Sequence, residues 1–400
     1  MNKSSFNSKI VALALCLSTA IGIAAFPIIQ QARAITTPVT VVNPQAHRIE
    51  VVFILDTTSS MSGLIQAAKE KIWSIASTMA SAQQNPDIKM GLVAFRDRGD
   101  AYVTRVFDLS EDLDSMYANL MDFRAQGGGD GPESVNQALY DAIHKISWSQ
   151  DEKVYKVAFL VGDAPPHMDY ADEVQYPVTL SAAKRKGIVV NTIQSGQHAY
   201  TRPAWKEIAA LGTGEYFQVE NSGNAVAVST PFDEKLATLA AELEDTRLFY
   251  GDSHAREQQE RKRKATDKLK ETLSTEALAR RSSYNATQAG KKNLLGESEL
   301  VEAISSGQVE LDDIEEENLP ASIQAMAPEQ QMEVIRQKAE RREALQQEIR
   351  ELSETRSDYI KQKVDASGGA EDSLDEKIYR AVKDQAASIG LTYDSDSAKY

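Results

Sequence analysis

Cysteine is nearly absent from this chain: 400 residues hold one, Cys16. Disulfides therefore cannot brace the fold, which needs a core large enough to stand without them. Histidine is scarce as well, at five, and the five are scattered with no zinc-ligand spacing. No Gly-Lys-Ser/Thr phosphate loop occurs, and the run Gly127–Gly129 does not follow the first strand, so it is no dinucleotide fingerprint. Asp312-Asp313 lacks the alternating ligands and central glycine of an EF-hand. An excess of positive charge is missing too. The formal net charge is −15, which disfavours nucleic acid and anionic lipid as partners and favours cations. The local basic stretch Arg261–Lys264 reads as a solvated helix face.

Long hydrophobic runs are limited to the first residues. Lys3 and Lys9 precede an apolar stretch from about Ile10 to Phe26, and Ala32-Arg33-Ala34 follows as a small-x-small cleavage pattern. Residues 1–34 thus read as a secretory signal peptide. The stretch is short for a spanning helix and Gly22 interrupts it, so no membrane span is expected after cleavage. Cys16 lies inside this segment behind Leu15, where a lipoprotein signal wants a small residue. The expected destination is a periplasm or the cell exterior. Residues 35–47 read as a linker.

From Ile49 to about Glu220, strand and helix signals alternate. Val51–Leu55, Met90–Phe95, Val157–Val161 and Ile188–Ile193 are apolar runs of the kind buried on both faces of a parallel sheet. Tyr102–Phe107 alternates, as an edge strand should, and Glu215–Val219 is a further short strand. Between them, helical spacing marks Ile65–Met79, Leu113–Phe123, a helix opening at Pro132 and running to Ile146, Val178–Lys186 ended by Gly187, and Trp205–Leu211. This pattern predicts an α/β fold, a doubly wound, mostly parallel sheet with helices on both faces, over residues 48–230. Leu236, Leu239 and Leu243 mark a helix within 231–251, expected to pack back on the α/β domain. Residues 252–400 are charged and mostly helical. An apolar stripe there runs through Met332, Ile335 and Ala339, then Leu345, Ile349 and Leu352, with a phase slip between the halves. That suggests a hairpin, small bundle or short coiled coil, offering a surface for self-association.

The first strand ends in Asp56-Thr57-Thr58-Ser59-Ser60. Asp56, Thr58 and Ser60 alternate, so an extended turn aims three hard oxygens at one point, suited to Mg²⁺, Mn²⁺ or Ca²⁺. A helix N-cap, by Ser60 or Ser59, is the alternative reading. Two further acids fall at comparable places: Asp130 in a glycine-rich loop, and Asp163 after the strand Val157–Val161.

These three loops resemble a von Willebrand factor type A domain with its metal-ion-dependent adhesion site. The Asp-x-Ser/Thr-x-Ser motif of the family is matched by Asp56, Thr58 and Ser60, and the third-loop acid by Asp163. The second loop, usually Gly-Gly-x-x-Thr, is met by Gly127–Gly131 with no threonine; Gly129-Asp130-Gly131-Pro132-Glu133 stands there. With Gly162-Asp163-Ala164-Pro165-Pro166-His167, this is similar to A domains of hemicentin-like, kinase-associated and bacterial secreted proteins. The resemblance implies Asp130 as the second-loop ligand. Glu133 stands behind it as an acid at a helix N-terminus, and His167 is a candidate to face the metal or order its loop. Were Asp130 a direct ligand, three carboxylates would leave the loaded site net negative.

Arg98-Gly99-Asp100 spells an adhesion tripeptide but reads as turn chemistry, and Asn285-Ala286-Thr287 is a glycosylation sequon. The function expected is non-enzymatic: an exported module that docks a protein partner, by way of an acidic side chain, on a metal at the top of the sheet. A metal-free scaffold with a degenerate site is the alternative. A haloacid-dehalogenase-type phosphohydrolase also opens on a strand ending in an acid, but it needs a second acid where Thr58 stands.

Overall fold

The apolar run Val51–Leu55 becomes the interior of strand β1 (Arg48–Asp56), and β1 lies near the middle of a six-stranded sheet. This is a computed structural model, and it describes residues 47–129, 131–220, 228–366 and 373–394. The expected signal peptide, Cys16, most of the linker and Asp130 lie outside the described residues. The remaining strands are β2 (Asp87–Phe95), β3 (Thr104–Ser110), β4 (Tyr155–Gly162), β5 (Ile188–Ser195) and β6 (Thr213–Val219). They are ordered β3-β2-β1-β4-β5-β6, with every pair parallel except β2 with β3. Successive strands thus run outward from β1 in one direction and from β4 in the other. The reversal lies between β1 and β4, and their carboxyl ends frame the crevice where such sheets bind ligands.

Side chains of alternating parity feed two cores, as the pleat requires. On one face Val52, Ile54, Ala158, Leu160 and Val190 meet helices α3 (Val135–His144), α4 (Tyr176–Arg185) and α5 (Arg202–Leu211). On the other, Val51, Phe53, Leu55, Val157 and Phe159 meet α1 (Ser62–Ala80) and α2 (Leu113–Met121). Gly187, at φ 69°, ends the turn after α4 in the left-handed conformation expected of it. One helix differs from its sequence pattern. Pro132 does not open α3, which begins at Val135, because the Glu133 backbone is pinned in extended form. Its N–H donates to the Pro165 carbonyl (2.9 Å) and its carbonyl accepts from the His167 N–H (3.1 Å).

Ala46–Tyr400 forms one compact unit, so the charged C-terminal helices belong to the same body as the sheet. They are α6 (Asp233–Glu244), α7 (Ser253–Thr272), α8 (Thr275–Asn285), α9 (Gln288–Leu295), α10 (Leu300–Ser305), α11 (Pro328–Ala366) and α12 (Leu374–Ala386). Leu236, Leu239 and Leu243 of α6 pack with Ala279, Leu294, Leu345 and Ile349, a core built by these helices and separate from the two flanking the sheet. The helix expected to pack on the α/β domain thus buries its stripe among the later helices. The sheet face is closed from further along the chain: Leu374, Ile378, Tyr379 and Val382 of α12 join the core of Phe53 and Phe159. Buried Asn191 of β5 exchanges hydrogen bonds with Gln385 of α12 (2.8 and 3.1 Å), so a polar group inside the sheet is satisfied by that distant helix.

The phase slip in α11 has a cause. The helix is continuous, and Ile335, Arg342, Ile349 and Arg356 fall seven residues apart, all buried. Arg342 makes a two-pronged pair with Glu299 (2.8 and 2.9 Å), and Arg356 bonds Asp233 (2.7 Å). Two arginines thus occupy a seam read from apolar residues alone. That seam faces α6, α8 and α10 of the same chain.

The weld between the two regions is Arg281 of α8, 1% exposed. It grips Asp114 of α2 (2.7 and 2.5 Å) and Glu244 of α6 (2.6 Å). Although burial opposes it, the two carboxylates hold the guanidinium above its ordinary pKa, and Asp114 lies well below the carboxylate range. Removing one member leaves buried charge unpaired. Arg281→Ala should cost about 3–5 kcal/mol, read as a lower urea midpoint by signals from sheet and helices together. A midpoint within about 0.5 kcal/mol of wild type would contradict this role.

Candidate metal centre

Asp56 is the last residue of β1 and is 1% exposed. Its Oδ1 accepts from the Thr58 N–H (2.9 Å) and from Thr58 Oγ1 (2.6 Å), and Thr58 Oγ1 lies 3.3 Å from Ser60 Oγ. The chain passes through extended Thr58 (φ −71°, ψ 167°) into a short turn at Ser59–Met61 that leads into α1. The N-cap positions are Thr58 and Met61, neither with a side-chain cap bond, so Ser59 and Ser60 do not stand where the cap reading put them. Asp56, Thr58 and Ser60 line one side of the crevice between β1 and β4, with Ser60 exposed to solvent.

Asp163 follows the last residue of β4 and is 6% exposed. Its carbonyl accepts from Thr201 Oγ1 (2.8 Å), which ties it to the loop before α5. Close approach of the two strand ends requires Gly162: a Cβ there would meet Asp56 Cβ at 3.0 Å and the Trp205 ring at 3.1 Å. Burial, opposed by the bonds from Thr58 and reinforced by the charge of Asp163, pushes Asp56 up to about 7.

The glycine loop closes the crevice from above. Ser59 Oγ donates to the Gly127 carbonyl (2.8 Å), and the Gly128 N–H donates to Asp100 Oδ2 (3.1 Å). Gly127 and Gly128 both have φ 81°. A Cβ on Gly128 would touch Thr58 Cβ at 3.4 Å and Glu133 Oε1 at 3.5 Å, so both side chains border this glycine, Thr58 by its Cβ and methyl. Glu133 therefore is no acid in the first turn of a helix. It lies in a parallel bridge with Pro166, 3% exposed, and its Oε2 is buried without a hydrogen-bond partner. Burial first, then the charges of Asp56, Asp97, Asp100 and Asp163, push it up to about 9.

His167 faces acids. Its Nδ1 lies 2.8 Å from Asp169 and its Nε2 3.4 Å from Asp97, with the ring stacked on Tyr170. Asp97 also accepts from Ser134 Oγ (2.9 Å) and Tyr170 Oη (2.9 Å). Arg98 and Asp100 of the adhesion-like tripeptide both bond within the chain, Arg98 to Asp172 and Glu173 and Asp100 to Gly128. Sequence reasoning passes over Asp97 and reads Asp100 only as turn chemistry. Their signal was position: they follow the carboxyl end of β2, as Asp56 ends β1.

The donors are hard oxygens only, carboxylates and hydroxyls, which suits a divalent cation such as Mg²⁺, Mn²⁺ or Ca²⁺. Among the described residues, no lysine or arginine pairs with Asp56, Glu133 or Asp163. Nor, among those residues, are three acids, histidines or cysteines gathered closely enough to hold an ion unaided. An ion here would draw on the hydroxyls and on water as well.

The profile of the von Willebrand factor A domain family matches residues 50–229. The match takes in a little under half of the chain, and over these residues the chain is similar to that family. A curated relative, alpha-protein kinase vwkA of Dictyostelium discoideum, is 28% identical over 121 residues, 30% of this chain and 19% of the kinase. The chain thus spans much less than two thirds of that relative's length. Among solved structures, proximal thread matrix protein 1 from the mussel byssus, with a zinc-occupied MIDAS motif, is 18% identical over 43% of this chain and 41% of that one, at a TM-score of 0.34. The SpRpn10 VWA domain is 12% identical over 46% of this chain and 100% of that one, also at 0.34. The pilus adhesin SpaC from Lactobacillus rhamnosus GG is 13% identical over 44% of this chain and 29% of that one, at 0.34.

Glu133 makes a pH prediction for the protein kept in chelator. Between its ordinary value of 4.5 and about 9, the folded form holds a proton that the unfolded form has lost. Stability should therefore fall as pH rises through that window. Glu133→Gln should flatten the decline, measured as urea midpoints at pH 5, 7 and 9; an equally steep decline in the variant would contradict it.

Proposed function

We propose that the protein is an exported, non-enzymatic binding module that holds a divalent cation between Asp56, Thr58, Ser60 and Asp163 and docks a protein partner there. The observation that carries this reading is the placement of Asp56 and Asp163 at the switch point of the sheet, with Thr58 and Ser60 beside them. The ion would supply positive charge where, among the described residues, no lysine or arginine pairs with the acids, and hold the first and third loops together. Asp56 and Asp163 would be charged ligands, Thr58 and Ser60 neutral ones. Asp130 remains a candidate for the second loop.

A docking role draws support from the rim. Large apolar side chains are exposed at Met168 (52%), Val174 (39%) and Val178 (62%) in and after the third loop, and at Tyr200 (60%) beside Thr201, which bonds Asp163. Exposed apolar groups grouped near a polar site mark interaction surfaces. The A domain of this chain is of a kind that often mediates protein interactions. Export rests on the basic start, the apolar stretch and Ala32-Arg33-Ala34. Among the described residues, no helix is long and apolar enough to cross a membrane.

Calorimetry of the mature chain with Mg²⁺, Mn²⁺ and Ca²⁺ tests the ion. Wild type should show metal-dependent heat and Asp56→Ala should lose it; a wild type with none contradicts the reading. A partner captured on immobilised protein should be released both by chelator and by Val178→Asp, and capture indifferent to both would remove the docking role.

A further inference from the structure

We propose that Tyr102 and Arg105, flanked by Arg124, form a docking surface for an acidic peptide segment of a protein partner. The surface lies beside the first loop and needs no bound metal, so it goes beyond the ion reading. It stands on a cluster of arginines that meets no acid in a chain of net charge −15.

The ring of Tyr102 carries two guanidinium groups, Arg96 with its Cζ 4.5 Å from the ring centre and Arg105 at 4.4 Å. Arg96 follows the last residue of β2 and is 5% exposed. Its Nη2 donates to the Arg124 carbonyl (2.8 Å) and its Nε to Thr57 Oγ1 (3.3 Å), which lies 2.7 Å from Tyr102 Oη. Arg96 thus fastens the ring and the Arg124 backbone to the loop between Asp56 and Thr58. Arg105, on edge strand β3, and Arg124, just beyond α2, are both exposed.

Among the described residues, no acid pairs with Arg96, Arg105 or Arg124. The acids of the neighbouring elements are engaged elsewhere: Asp97 by Ser134 and Tyr170, Asp100 by Gly128, Asp122 by Lys268, and Asp141 by Thr104 and Lys145. Two guanidinium groups on one ring repel each other, and an anion between them relieves that repulsion. A charge on an edge strand can serve simply to deter pairing with other chains. That accounts for Arg105, but not for a buried arginine set on the same ring.

The chemistry of the surface selects its occupant. A guanidinium fork bonds a carboxylate through two parallel N–H groups, and a ring beneath it holds the fork in place, which lowers the ordering cost of binding. The whole-chain charge opposes a long polyanion such as nucleic acid. A short run of Asp or Glu on a protein partner meets only the local positive field.

The experiment is calorimetry of the full mature chain, freed of divalent ions, with a short peptide of alternating glutamate and glycine and with its glutamine counterpart. The glutamate peptide should bind, more weakly as salt rises, and the glutamine peptide should not. Arg105→Glu and Arg124→Glu should each weaken it about tenfold. Lys264→Glu, the same charge change on α7, should leave it within about twofold. Circular dichroism should show the three variants folded, as expected for exposed positions. A wild type that ignores the glutamate peptide, or takes the glutamine peptide as tightly, overturns the inference. So does an Arg105→Glu or Arg124→Glu that costs no more than Lys264→Glu. Binding that appears only on adding Mg²⁺ and survives Arg105→Glu would put the acid on the ion, overturning this surface and leaving the metal reading standing.

Discussion

Asp56, Glu133 and Asp163 share a buried corner at the carboxyl end of the sheet, with no lysine or arginine among the described residues paired to any of them. Mutual repulsion in a poorly solvated place is the constraint to which the surrounding loops answer. Thr58 turns its N–H and hydroxyl on Asp56, Gly162 removes a side chain so that the strand ends can approach, and Gly128 leaves a gap lined by Thr58 and Glu133. These devices soften the conflict without ending it. Asp56 and Glu133 still hold their protons far above the usual carboxylate range. The divalent cation proposed for this place would be their complement.

Elsewhere the chain resolves buried charge from within. Arg281 answers Asp114 and Glu244, Arg342 answers Glu299, and Arg356 answers Asp233. The Arg281–Asp114 pair ties the charged C-terminal helices to the sheet-bearing region, and α12 on the sheet does so as well, while the other pairs join segments within the C-terminal region. The contrast is informative. Those buried acids each meet an arginine, whereas among the described residues Asp56, Glu133 and Asp163 meet no lysine or arginine.

The sheet was legible because its signal is continuous: four apolar runs, one alternating edge and glycine stops each point to a strand without reference to distant residues. Asp56 and Asp163 were legible because a switch point places strand ends together. What could not be read depends on partners far along the chain. An amphipathic stripe at Leu236, Leu239 and Leu243 declares that a face is buried, not what buries it, and here the later helices do so. Arg342 and Arg356 broke the apolar seam of α11 because a sequence does not show that Glu299 and Asp233 await them. Glu133 reads in sequence as a dipole-compensating acid because Pro132 suggests a helix start, whereas its bonds to Pro165 and His167 span a loop that no spacing rule covers.

The most direct test of the account is an anomalous difference map from crystals of the mature protein grown with Mn²⁺. The account predicts one strong peak at the carboxyl ends of β1 and β4, bounded by Asp56, Ser60 and Asp163. No peak there at millimolar Mn²⁺ would contradict it. So would a peak that leaves Asp56 and Asp163 out of reach.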